Sequence, residues 1–256
     1  MKTDRRRFIK LIGLGAASIG AALVGISQFI KHVPNVKADD PTRSHDEPPR
    51  KWGMIIDLKK CDGCEACTVA CQNYHFIPFG QEWIKIYETR DNPLAPPYPF
   101  PRPCMHCESP PCRDVCPVGA TYRRRDGVVL VDHNRCIGCR YCMAACPYSA
   151  RYFNWGEPPH TPEELAHEYS PEEPWPHIRG VVEKCDFCAS MGEIGMLPAC
   201  VIGCPSGAIY YGDLAEDAVS NGQEILRVSE VTKVRQAYRF KEELGTSPRV
   251  YYLPRG

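Results

Sequence analysis

The chain has 256 residues, of which 16 are cysteine, 25 proline and 20 glycine, and its 31 Lys+Arg are matched by 31 Asp+Glu. The balanced charge excludes the dense basic surface on which nucleic-acid binding rests. So many cysteines, prolines and glycines also exclude a large apolar core as the sole source of stability, and ligation through sulfur has to substitute for part of it.

In chain order, the first feature is an export signal over residues 1–38. Asp4, Arg5, Arg6, Arg7, Phe8, Ile9 and Lys10 precede an apolar stretch from Leu11 to Ile30, loosened by Gly13, Gly15, Gly20 and Gly25. This resembles a twin-arginine signal, with Asp4 where serine or threonine is commoner. An ordinary secretory signal or a membrane anchor is the alternative, since the stretch is long enough to span a bilayer. Val36, Lys37 and Ala38 before Asp39 resemble a small-residue cleavage site. The expected location is the periplasmic or outer face of the cytoplasmic membrane, with the chain either released or held by an uncleaved signal. Without residues 1–38 the chain keeps 24 Lys+Arg against 30 Asp+Glu, which moves it further from any nucleic-acid partner.

Four cysteine groups follow, with none left over. Cys61, Cys64, Cys67, Cys71 and Cys136, Cys139, Cys142, Cys146 follow C-x2-C-x2-C-x3-C, the run of bacterial ferredoxins. Cys104, Cys107, Cys112, Cys116 open the middle gap to four residues, and Cys185, Cys188, Cys200, Cys204 open it to eleven. In such a motif three thiolates from one turning loop bind one iron–sulfur cube, while the fourth cysteine points to another. Three groups close with Cys-Pro; Cys71 is followed by Gln72, a departure that removes no ligand.

The repeated pattern predicts a cluster loop, a short helix after Cys-Pro and a short strand. The strand candidates are Ala120, Thr121 and Tyr122, then Val128 to Val131 after a turn at Asp126 and Gly127, and Ile209, Tyr210 and Tyr211 after Gly207 and Ala208. The prolines at 93, 96, 97, 99, 101 and 103, and at 158, 159, 162, 171, 174 and 176, predict loops.

A tetrahedral zinc site has no use for a third cysteine at the same short interval, and cysteines three apart in triplets suit a shared cluster better than separate disulfides. The cofactors expected are four [4Fe-4S] clusters. The motifs are separated by 32, 19 and 38 residues, and the shortest gap makes the second and third the natural pair. Ligand exchange within that pair assigns Cys104, Cys107, Cys112 with Cys146, and Cys136, Cys139, Cys142 with Cys116. The outer pair is then Cys61, Cys64, Cys67 with Cys204, and Cys185, Cys188, Cys200 with Cys71. Tandem pairing of first with second and third with fourth is the rival. The expected fold is α+β, with two nested bacterial-ferredoxin-like modules and long Pro-rich loops. Residues 104–147 would form the inner module, and residues 39–103 and 148–256 the outer one with its loops and C-terminal tail.

The segments CDGCEACTVACQ, CMHCESPPCRDVCPVGATY, RCIGCRYCMAACPYSARYFNW and PACVIGCPSGAIYYGD resemble the four-cluster iron–sulfur subunits of the dimethyl sulfoxide reductase and polysulfide reductase group. The similarity covers roughly residues 51–256. It implies nested pairing and a relay of electrons between a quinone-reactive integral membrane subunit and a molybdopterin catalytic subunit or a cytochrome or iron–sulfur partner in anaerobic respiration. Relatives with their own signal include tetrathionate reductase subunits, nitrite-reduction subunits and the outer-face protein of the membrane complex that accompanies dissimilatory sulfite reductase, toward which the resemblance leans.

No G-x-G-x-x-G, phosphate loop or C-x-x-C-H is present, so no catalytic residue is assigned and the chain is read as a relay and not an enzyme on its own. A structural or regulatory cluster protein is the alternative. His106 and His133 are candidates for tuning a cluster by hydrogen bonding. Tyr148, Tyr152, Phe153 and Trp155 read as packing more than as electron steps, and Glu163, Glu164, Glu168, Glu172 and Glu173 as a solvated face. Asp62 and Asp186, each following the first cysteine of an outer-pair motif, are candidates for holding those potentials down.

Overall fold

The computed structural model describes residues 50–255, so the export segment lies outside the described residues. All of the described residues fall within one compact unit spanning 39–256. In chain order the elements are β1 (Trp52–Asp57), α1 (Ala66–His75), β2 (Lys85–Thr89), β3 (Tyr98–Arg102), α2 (Pro111–Asp114), β4 (Thr121–Arg123), β5 (Val129–Val131), α3 (Tyr141–Ala144), β6 (Tyr152–Phe153) and α4 (Pro162–Leu165). There follow β7 (Val182–Glu183), α5 (Ala189–Glu193), α6 (Ala199–Ile202), β8 (Ile209–Asp213), β9 (Ala218–Ser220), β10 (Ile225–Arg227), α7 (Val228–Val234), β11 (Tyr238–Arg239) and β12 (Val250–Leu253). No helix among the described residues is long and apolar enough to cross a membrane.

The largest sheet has six strands in the order β10-β9-β8-β1-β12-β11. β1, with the sequence WGMIID, is buried along its whole length, as a central strand covered on both faces must be. It pairs antiparallel with β8, Ile56 opposite Ile209, and parallel with β12, Met54 opposite Val250. Strand β12 follows the turn-forming run Gly245 to Pro248, but its place in the sheet is not legible in the sequence, because one of its two partners, β1, lies some two hundred residues away in the chain. Behind the sheet Trp52 stacks on Tyr211 at 5.1 Å and Phe100 on Tyr252 at 4.4 Å.

The hairpin expected around Asp126 and Gly127 forms as β4 and β5, with Thr121 opposite Val131. Asp126 Oδ1 accepts the Val128 N–H at 3.1 Å, closing the turn.

The helix expected after Cys-Pro lies before it instead. α2, α3 and α6 end just before Cys116, Cys146 and Cys204, and a turn follows each proline. A proline lacks the N–H and disfavours helical backbone in the residue before it, so the helix cannot run through the fourth cysteine. Cys71 precedes Gln72 instead, and α1 continues through it to His75.

The first proline-rich stretch is not entirely loop, since β3 contains Pro99 and Pro101. They face Glu88 and Ile86 of β2 in a two-stranded ribbon. Residues two apart present their N–H groups to the same side, so both missing donors fall on the unpaired edge. In the second stretch Pro162 opens α4, where Thr161 Oγ1 accepts the Glu164 N–H at 3.2 Å.

Candidate cluster sites

None of the sixteen cysteines is in a disulfide. In every motif the residue before the second cysteine has a left-handed backbone: Gly63 at φ 80°, His106 at 40°, Gly138 at 67° and Phe187 at 66°. This turn reverses the chain so that both thiols of a C-x-x-C face one point. Glycine adopts it freely, whereas His106 and Phe187 adopt it against their Cβ atoms. In the first and fourth motifs an aspartate fixes the same turn, since Asp62 Oδ1 accepts the Cys64 N–H at 3.1 Å and Asp186 Oδ1 accepts that of Cys188 at 2.8 Å.

The fold gathers the thiols into quartets across the chain. α1 and α6 approach so closely that a Cβ on Gly203 would lie 2.4 Å from that of Ala70. Burial pushes the thiols of Cys61 and Cys67 up, Cys67 to about 12, and the Cys204 sulfur adds to both shifts. Cys204 also bears on Cys64. Burial raises Cys71 well above the usual thiol value, and Cys185 and Cys200 reinforce it. Cys188 is raised by burial and then by Asp186, Cys200 and Cys71. In the middle of the chain burial lifts Cys107 to about 12, with Cys104, Cys112 and Cys146 adjacent. Cys116, Cys136, Cys139 and Cys142 line one cavity with Val118 and Val131. Burial works to raise Cys116, but the amides of Thr121, Val118, Ala120 and Gly119 outweigh it and hold that thiol below its ordinary value.

Neighbouring groups of thiols also adjoin: Cys67, Cys71, Cys107 and Cys200 belong to one buried cluster with Cys104, Cys146, Cys185 and Cys204 packed against it, and Cys112, Cys142 and Cys136 belong to another. Cys67 bears on Cys71 and Cys200, Cys104 on Cys185, and Cys112 on Cys142. Cys204 thus neighbours the first motif, Cys71 the fourth, Cys146 the second and Cys116 the third. Thiols that burial keeps protonated become thiolates when iron displaces their protons, so the donor set fits four-sulfur cluster ligation.

Two side chains beside these sulfurs were missed in the sequence. His75 Nε2 lies 3.2 Å from Cys188 Sγ, and its Nδ1 lies 3.4 Å from Asp186 Oδ2, all buried. The signal was Gln72, whose helical backbone carries α1 one turn past Cys71. Arg151, 5% exposed, donates to Cys112 Sγ at 2.9 Å and to Thr121 Oγ1 at 3.1 Å, and nothing in its local sequence announces this.

His106 is buried, accepts the Val129 N–H at Nδ1 at 3.1 Å and is held neutral by burial with Lys184 and Arg249 nearby. Burial pushes His133 down to about 4, and its ring stacks on Tyr169 at 5.5 Å. Neither histidine is hydrogen-bonded to a cysteine sulfur. Tyr148 is buried with its hydroxyl 2.5 Å from Thr246 Oγ1, and Tyr152 donates to the Glu82 carbonyl, while Trp155 is exposed under the Arg140 guanidinium. The glutamate run is not uniformly solvated: Glu164 is 1% exposed and accepts the His177 N–H at 2.7 Å. Asp62 lies at the surface and Asp186 in the interior.

Two models of the 4Fe-4S dicluster domain match the chain, over residues 97–160 and 135–209. The chain is similar to a selenate reductase subunit of Mesobacillus selenatarsenatis, 38% identical over 291 residues, covering 98% of this chain and 97% of the relative. It is similar also to the iron–sulfur cluster-binding subunit of menaquinone reductase from Nitratidesulfovibrio vulgaris, 41% identical over 236 residues, covering 80% and 89%. A tetrathionate reductase subunit of Salmonella typhimurium is 34% identical over 257 residues, covering 99% and 89%.

Proposed function

This chain belongs to the iron–sulfur subunit family of the dimethyl sulfoxide and polysulfide reductase group, and we propose that it relays electrons through four [4Fe-4S] clusters within an anaerobic respiratory complex. Its partners are a quinone-reactive integral membrane subunit at one end and a molybdopterin catalytic subunit or a cytochrome or iron–sulfur protein at the other. Like its relatives it is a subunit of an oxidoreductase complex and not a catalyst by itself. The twin-arginine segment delivers it, folded and loaded, to the outer face of the cytoplasmic membrane.

The ligand sets are the four quartets, each with three cysteines from one motif and the fourth from its partner motif. Two ferredoxin-like modules are thereby nested, the inner made by the second and third motifs and the outer by the first and fourth. When bound, the clusters supply one-electron uptake and release. The protein holds them by thiolate ligation, excludes water with buried Met105, Phe187 and Leu130, and donates amide hydrogen bonds to sulfur, as from Ala208 to Cys204 at 3.3 Å.

One observation supports the relay reading: cysteines of the first, second and fourth motifs share one buried cluster, and Cys112 of the second shares another with Cys142 and Cys136 of the third, so the four groups adjoin and are not separate structural staples. The test is reduction of the membrane-bound complex by quinol, followed by reoxidation through its partner, with the clusters monitored by electron paramagnetic resonance. Clusters that reduce with dithionite yet neither accept electrons from quinol nor exchange them with the partner would identify a structural or regulatory cluster protein instead.

A further inference from the structure

Arg151 is a buried cation without a carboxylate: among the described residues no ion pair forms with it. An unpaired buried charge is costly, so its compensation must come from elsewhere. The sulfurs around it come from two motifs: Cys112 accepts its hydrogen bond, and Cys112 shares a buried cluster with Cys142, against which Cys136 packs. These belong to both inner quartets. The guanidinium is fixed by two acceptors, Cys112 Sγ at 2.9 Å and Thr121 Oγ1 at 3.1 Å. Thr121 in turn donates its backbone N–H to Cys116 Sγ at 3.5 Å, so one residue links the arginine to the neighbouring quartet.

Resting on the reading that each quartet ligates a [4Fe-4S] cluster, we propose that Arg151 is the shared counter-ion of the two inner clusters and sets their potentials above the value they would otherwise have. Reduction brings one electron and no proton to a cluster, adding one unit of negative charge beside the fixed guanidinium, which favours the reduced form. The effect is largest at the cluster held by Cys112, whose sulfur accepts the hydrogen bond, and smaller at its mate, reached through Cys142. The site of Cys188 has the opposite local sign, because the interior carboxylate of Asp186 lies in the same turn, its Oδ1 accepting the Cys188 N–H at 2.8 Å. The guanidinium fork also explains why lysine would be an imperfect substitute, since one ammonium cannot hold both acceptors in the same planar geometry.

The experiment is an anaerobic redox titration of the full chain, each cluster followed by electron paramagnetic resonance, in the parent, Arg151→Gln and Arg151→Lys. Iron content of the parent tests the ligation reading separately, and about sixteen irons per chain uphold it. For Arg151→Gln the equilibrium constant for reducing the Cys112 cluster should fall at least tenfold, a shift of about 59 mV for a one-electron couple, with the outer clusters unchanged. Arg151→Lys should stay within about threefold of the parent, since the charge is retained. Equal shifts in both variants, a shift common to all four clusters, or no shift at either inner cluster would overturn the proposal. Should Arg151→Gln fail to retain the inner clusters, full iron in Arg151→Lys supports the counter-ion role, and loss of iron in both overturns it.

Discussion

His106 and Phe187 stack face to face, their ring centroids 4.1 Å apart and their planes 18° from parallel. Each is the residue before the second cysteine of a C-x-x-C and each holds a left-handed backbone that a side chain ordinarily avoids. The stack lies where the second motif meets the fourth. Glycine in either position would relieve the backbone but remove half of the aromatic pair joining these two turns. A double-mutant cycle of His106→Ala and Phe187→Leu, read by urea unfolding of the iron-loaded chain, should give a coupling of about 1 kcal/mol. Additive losses would mean that the rings merely fill space.

Removal of iron should unfold the cysteine-bearing regions, because metal binding and folding are coupled where the ligands replace an apolar core. The reconstituted chain should hold about sixteen irons and show interacting reduced-cluster signals. Stoichiometric zinc without visible charge-transfer absorption would contradict the cofactor assignment.

Cys204→Ser should disturb the cluster held by Cys61, Cys64 and Cys67, although 137 positions separate Cys204 from Cys67 in the chain. The Cys204 sulfur bears on all three of those thiols. Spectroscopic damage confined to the cluster of Cys185, Cys188 and Cys200 would instead mean that the fourth motif keeps its own last ligand.

The two aspartates of the outer pair should behave differently. Asp186→Asn should raise the midpoint of the cluster held by Cys188 by tens of millivolts, because the carboxylate is buried and an electron added beside it is poorly screened. Asparagine retains the oxygen that accepts the Cys188 N–H, so the turn survives. Asp62→Asn should leave all midpoints unchanged, since its carboxylate is exposed and screened. Redox titration at fixed pH and salt compares them, and equal shifts would remove burial as the cause.

Gln72→Pro should break α1 after Cys71 at a cost of about 3 kcal/mol, visible as a lower thermal midpoint of the loaded chain. It would also remove the hydrogen bond from Gln72 Nε2 to the Gln81 carbonyl at 2.9 Å and withdraw His75 from Cys188. An unchanged midpoint would show that the last turn of α1 contributes nothing to stability.

Sixteen cysteines at recurring intervals determine the cofactor class by themselves, because cluster ligation is a local property: a three-residue spacing and one reversed turn bring two thiols to one point whatever surrounds them. The hairpin of β4 and β5 is legible for the same reason, its turn chemistry lying within Asp126 and Gly127. The helices fall before Cys-Pro, against the expectation drawn from the motif repeat, although proline's missing N–H is itself a local signal that points to the observed order. Only the tertiary structure pairs β1 with β12, buries Asp186 while exposing Asp62, and carries Arg151 to the sulfur of Cys112. These depend on segments distant in the chain meeting at one place, and no residue's neighbours in sequence record which distant segment will cover it.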